Sequence, residues 1–330
     1  MSNFYCEGEL SLLGMFDLSY APPLLFYSYI PIIAVAILLG IYILVKDKWS
    51  LQSKLLFLMA LFFSIWSFNQ IGEWVTVPVR INHFLWETIS VLEVLILIFS
   101  FYFVYVFLNK KDLPLKYKMI LGILFLPVVI ALPTNLNMIS FDVMECQANN
   151  GIIWIYIYFF EALAIFAIMD LFYRKFRSLA KGDPLRKQIA ILAPGVFLFL
   201  GMFAATNILG DFFLVYEVNL IGPIGMVIFL ALMTYMIVRF GVFSIRLLAA
   251  QALVVAIIVL VGSQLFFVRS VTNRILTSIT LTLSSFGGYL LVRSVKKEVQ
   301  QREELAKLNF DLQKTIKARE SLVHLVTHKV

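Results

Sequence analysis

Leu85-Trp-Glu-Thr-Ile-Ser-Val-Leu-Glu-Val-Leu-Ile-Leu-Ile-Phe-Ser-Phe-Tyr-Phe-Val-Tyr-Val-Phe-Leu108 is a run of 24 residues in which only Glu87 and Glu93 are charged. At 1.5 Å per residue a helix of that length reaches roughly 36 Å, enough to cross about 30 Å of hydrocarbon. Similar runs recur on both sides of it. Spans are expected near 25–45, 55–71, 85–108, 118–133, 152–172, 189–208, 219–239, 248–268 and 275–292, nine in all, the fourth being short. Composition requires the same conclusion. Of 330 residues 61% are hydrophobic and 14% charged, against about 45–50% and about 25% in a soluble domain. Much of the surface therefore faces lipid. A disordered chain, a disulfide-stapled secreted scaffold and an ordinary cytosolic enzyme are excluded on this count. The fold class expected is an all-α membrane protein.

The net charge of +7 is explained by its distribution, and no nucleic-acid partner is needed. With the N-terminus outside, twenty-four of the twenty-seven Lys and Arg residues fall on the inner side, and Arg80, Arg269 and Arg274 on the outer. Positive residues are retained on the cytoplasmic side, so this asymmetry predicts an odd number of crossings and a cytoplasmic C-terminus. The first 23 residues hold no Lys or Arg, so they lack the flank of a cleaved signal peptide. Three parts are expected: a seven-helix region over 1–246, a transmembrane hairpin over 247–292 and a cytoplasmic helix over 293–330.

From Arg293 onward the chain is free of Gly and Pro and rich in helix formers. Apolar residues recur at Leu305, Leu308, Leu312 and Ile316, and again at Val323, Val326 and Val330. Steps of three and four make this a coiled-coil seam with one four-residue insertion, which predicts a homodimer through 293–330. A solvated amphipathic helix lying on the membrane is the alternative.

Two stretches carry a wider pattern. Tyr235-Met-Ile-Val-Arg-Phe-Gly-Val-Phe-Ser-Ile-Arg246 precedes the hairpin, and Phe286-Gly-Gly-Tyr-Leu-Leu-Val-Arg-Ser-Val-Lys-Lys-Glu-Val-Gln-Gln-Arg-Glu-Glu-Leu305 follows it. With the ending Leu322-Val-His-Leu-Val-Thr-His328-Lys-Val330, the chain resembles bacterial sensor histidine kinases with a seven-helix sensor region. The resemblance implies that His328 is the phosphoacceptor of a two-component phosphorelay. It further implies a response regulator as partner and the bacterial inner membrane as location. Two departures stand out. Lys329 occupies the usual place of an acidic residue, and the sequence stops before the ATP-binding domain. No Gly-rich phosphate loop or acidic metal cluster occurs in a cytoplasmic segment. This chain is therefore expected to bind no cofactor itself, ATP and Mg belonging to a catalytic domain beyond Val330. Spacing alone would leave His328, and His324 four residues before it, as surface histidines.

Ionisable residues inside a membrane are costly and become candidates for function. Glu87 and Glu93 in the third span and Glu161 in the fifth are the candidate ligand-binding residues, with Asn69, Gln70, Asn207, Gln251 and Gln264 as polar company. Six residues separate Glu87 from Glu93, turning them about 120° apart, so one pocket is not lined equally by both. These groups could instead satisfy one another across helix interfaces. No metal site is expected. Cys6 and Cys146 are both expected outside, where a disulfide could form. Trp74, Trp86 and Trp154 fit an aromatic belt. Small residues at Thr277, Thr280, Ser284, Gly287 and Gly288 would let a neighbouring helix approach the ninth span. No span holds a buried Lys for a retinal Schiff base. A transporter and a non-catalytic membrane interaction protein remain the alternatives.

Overall fold

A computed structural model describes residues 15–16, 21–143, 147–213 and 215–240, together with separate helical positions between 254 and 316. Seven α-helices account for most of it: α1 (Pro23–Lys46), α2 (Leu51–Val75), α3 (Val79–Asn109), α4 (Leu115–Ala131), α5 (Ile153–Ser178), α6 (Pro184–Phe213) and α7 (Pro223–Phe240). Six helices are long and apolar enough to cross a membrane, which makes this a helical fold of multi-pass membrane character. Those six are α1, α2, α3, α5, α6, and α7 together with the 3-10 turn Tyr216–Ile221 before it. The expected eighth span and the loop after it lie largely outside the described residues, whereas most positions of the ninth are described and are helical.

Helix boundaries follow local chemistry. Pro22 and Pro23 open α1, where a missing N–H is harmless. Ser50 caps α2, its hydroxyl accepting the Ser53 N–H at 3.2 Å. Lys110 ends α3 in the left-handed region at φ 53°. Five of these helices run several residues beyond the apolar stretches that mark them in the sequence, because a helix continues through its polar ends once its middle is held. The loop between α4 and α5 folds as a short antiparallel hairpin of β1 (Met138–Asp142) and β2 (Gln147–Asn150), a departure from the all-helical expectation. Gly151 follows it, where a Cβ would lie 2.1 Å from the Leu136 carbonyl oxygen.

Neighbouring contacts run α1–α2–α3–α5–α6–α7 and return from α7 to α1. The six long helices therefore close into a ring. Tyr29 on α1 seals it, donating its hydroxyl to the Asn219 carbonyl at 3.1 Å. Where α6 meets α7, a Cβ on Gly225 would lie 2.7 Å from the Leu198 oxygen, so the two backbones touch. The interior is aromatic, with Trp66 and Phe203 at 4.7 Å and Phe63 edge-on to Phe199 at 5.6 Å between ring centres. Outward faces carry large apolar side chains such as Ile155, Phe159 and Phe166, as lipid contact permits.

Helix α4 stands outside the ring against α3 and α5, burying only Val128 and Ala131. Its 17 residues reach roughly 26 Å, a little less than the hydrocarbon thickness. It runs antiparallel to α3. Leu115 starts near the α3 end at Lys110, and Asn137, past the other end, donates its side-chain amide to the Glu87 carbonyl at 3.1 Å. Tyr156 on α5 ties α4 down through the Leu124 carbonyl at 2.6 Å.

One end of the bundle collects the positive charge. The α1–α2, α3–α4 and α5–α6 connections meet there, bearing Lys48, Lys110, Lys111, Lys181 and their neighbours. Lys110 reaches the Gln52 side chain at 3.3 Å. At the opposite end lie the β-hairpin and Arg80.

Candidate intramembrane site

Glu93 sits at the middle of α3 with 2% exposure. Its Oε1 accepts the Trp66 indole N–H from α2 at 3.2 Å and the Asn207 amide from α6 at 2.9 Å. Three helices thus converge on a single carboxyl oxygen. Oε2 has no hydrogen-bond partner.

Glu161 on α5 is fully buried, and neither of its carboxyl oxygens is hydrogen-bonded. It lies within electrostatic reach of Glu93. One helical turn before it, Tyr158 lies beside Asp211 on α6. Asp211 is in turn one turn beyond Asn207, and its Oδ1 accepts the Asn150 amide from β2 at 2.7 Å. A ladder of polar groups therefore leads from the β-hairpin end to the Glu93–Glu161 pair.

Glu73, near the end of α2, is the third buried acid of the ring interior. Asn69 and Gln70 donate to its two oxygens at 3.0 and 3.2 Å, one turn away on the same face. Asn82 secures the backbone beside it, donating to the Glu73 and Thr76 carbonyls at 2.9 and 3.0 Å.

The sequence-predicted residues are thus distributed unequally. Glu93 and Glu161 lie within electrostatic reach of each other on packed helices, with Asn207 as a donor to Glu93. Glu87 does not join them. It is half-buried and pairs with His83 at 3.5 Å near the hairpin end. Asn69 and Gln70 serve Glu73. Gln251, Gln264, Ser284, Cys6, Cys146, His324 and His328 lie outside the described residues. Of the small residues of the ninth span, Gly288 abuts another helix: a Cβ there would be 2.3 Å from Val254.

Sequence reasoning missed Glu73, Asp211, Tyr29, Tyr158 and Trp66. The apolar runs end at 71 and 208, which leaves Glu73 and Asp211 in loops, whereas α2 and α6 continue to Val75 and Phe213. A signal was present in the spacing, since Asn69 with Glu73 and Asn207 with Asp211 are each four residues apart.

Among the described residues no Lys, Arg or His forms an ion pair with Glu73, Glu93, Glu161 or Asp211, and no group of three His, Cys, Asp or Glu could hold a metal ion. Uncompensated carboxylates in so apolar a place are strongly unfavourable. Such a centre changes its charge or takes up a positive one. Comparison of the chain with family models, with curated proteins and with solved structures finds no match.

Proposed function

We propose that this chain is the membrane sensor region of a two-component histidine kinase, receiving a stimulus in the helical ring and passing it through the ninth span to a dimeric stalk ending at His328. The observation that carries the reading is the buried polar centre at Glu93 and Glu161. It occupies the interior of the ring, where a structural bundle needs only apolar packing. The stalk adds support. Leu308, Leu312 and Ile316 stand on helix with 65%, 59% and 47% of their surface exposed in the single chain, the positions a second copy would cover.

In this reading the basic end of the bundle faces the cytoplasm. The stalk's apolar seam pairs two copies, and a response regulator takes the phosphoryl group. The test is phosphotransfer in membranes. A kinase catalytic domain with ATP and Mg should label the wild-type chain and leave His328→Gln unlabelled. Equal labelling of both rejects the proposal.

Acids on several helices of one ring also favour a second reading, a cation transporter. Cation flux in proteoliposomes, abolished in Glu93→Gln, would support that reading over the first.

A further inference from the structure

Glu93 on α3 and Glu161 on α5, two helices that pack together, bury their carboxyl groups in the ring interior with three oxygens unpartnered, both oxygens of Glu161 and Oε2 of Glu93. Each residue is more than nine-tenths buried. Two negative charges so placed repel strongly in a medium of low polarity, and solvation cannot offset the repulsion. Among the described residues, the titratable groups around the two carboxyls bring no positive charge. They are Tyr29 from α1, Glu73 from α2, Tyr158 from α5 and Asp211 from α6. The ligand set is too small for a multivalent metal. What the vacant oxygens can accept is the smallest cation.

We propose that Glu93 and Glu161 form an intramembrane proton-binding site whose occupancy is read by α3, α5 and α6. On binding, a hydronium ion gives up one proton, which forms an O–H bond with one of the unpartnered oxygens and leaves a water molecule, while the second carboxylate keeps its charge nearby. The pair passes from two negative charges to one, and no bond in the protein breaks. Loss of the proton restores the repulsion and pushes α3 and α5 apart. Asn207 and Trp66 hold the other oxygen of Glu93 in place, so the free oxygen is kept for the proton. Asp211 and Tyr158, one turn nearer the hairpin end, form the path along which it arrives.

Taking the bound proton as the stimulus rests on the sensor reading, but the site itself does not. Infrared difference spectroscopy of the purified full chain in lipid nanodiscs, titrated across neutrality, reads the carboxylic-acid C=O band without any kinase activity. The expected result is one band that fades on the alkaline side, shifts in D2O and is lost in both Glu93→Gln and Glu161→Gln. Glu73→Gln should retain it, and Asp211→Asn should retain it with slower proton uptake. Glu93→Asp and Glu161→Asp, which keep the acid, should move the band, a readout that survives if a Gln variant misfolds. The site is overturned if the band persists in both Gln variants, if only one abolishes it, or if Na+ displaces the proton. Failure here leaves phosphotransfer to His328 standing, and failure of phosphotransfer leaves the infrared result standing.

Discussion

Asn207 on α6 donates its side-chain amide to Glu93 on α3 at 2.9 Å, across 114 residues of chain. The bond holds two non-consecutive helices together and supplies one of the two donors to a buried carboxyl group. Asn207→Leu removes the donor while keeping the volume, so it should destabilise the bundle by about 1–3 kcal/mol. Thermal unfolding in detergent checks this. Trp66→Phe, which keeps most of the aromatic packing, should lower stability less.

Close approach of α6 and α7 depends on one missing side chain. A Cβ on Gly225 would stand 2.7 Å from the Leu198 oxygen and 2.9 Å from the Phe199 Cα, both backbone atoms that cannot swing aside. Gly225→Ala should cost about 1–3 kcal/mol through overpacking. Gly201→Ala is the control, since nothing lies within 4 Å of its would-be Cβ. There the better helix propensity of Ala should leave stability unchanged or raised by up to about 1 kcal/mol.

The turn between α3 and α4 should loosen in acid. Lys118, 2.7 Å from the Asp112 carboxylate, and the Tyr102 hydroxyl that also donates to it hold that carboxyl below the usual aspartate range. A depressed value in the folded state means the interaction is fully present above the ordinary aspartate range. It is lost as pH falls through the folded value. The protection of amides 109–118 from hydrogen exchange, relative to their intrinsic rate at each pH, should therefore fall toward low pH in the wild type. Asp112→Asn should show the lower protection at every pH.

The proposed dimerisation through the stalk predicts a simple loss. The double variant Leu308→Glu, Leu312→Glu places like charges on the seam and should abolish cross-linking between copies in membranes, with insertion unchanged. Undiminished cross-linking would place the dimer contact elsewhere.

Sequence alone was a good guide to long apolar helices and a poor one to their ends. Runs such as Leu85–Leu108 announce a crossing because hydrocarbon thickness fixes their length. Nothing of the kind fixes where a helix stops, and α3 extends six residues upstream to Val79, which carries Asn82 into the structure as a helical residue. The same error hid Glu73 and Asp211. Glu93 and Glu161 were legible because a charge in the middle of an apolar run stands out on its own. That they share the interior of packed helices, while Glu87 turns to His83, was half legible. Helical rotation separates Glu87 from Glu93, but only the order of helices around the ring brings α5 to α3. The exclusion of α4 from that ring is a tertiary fact, since its apolar run differs from the others in the sequence only by being short.

The bond from Tyr29 to the Asn219 carbonyl joins segments 190 residues apart. Ribosomes add about 5–20 residues per second, so the first helix waits roughly 10–40 s for its acceptor to be made. Throughout that interval the acids of the ring interior have no completed wall around them. Chains halted before α7 should thus be prime targets for membrane quality-control proteases, and release from that surveillance marks the moment the circle shuts.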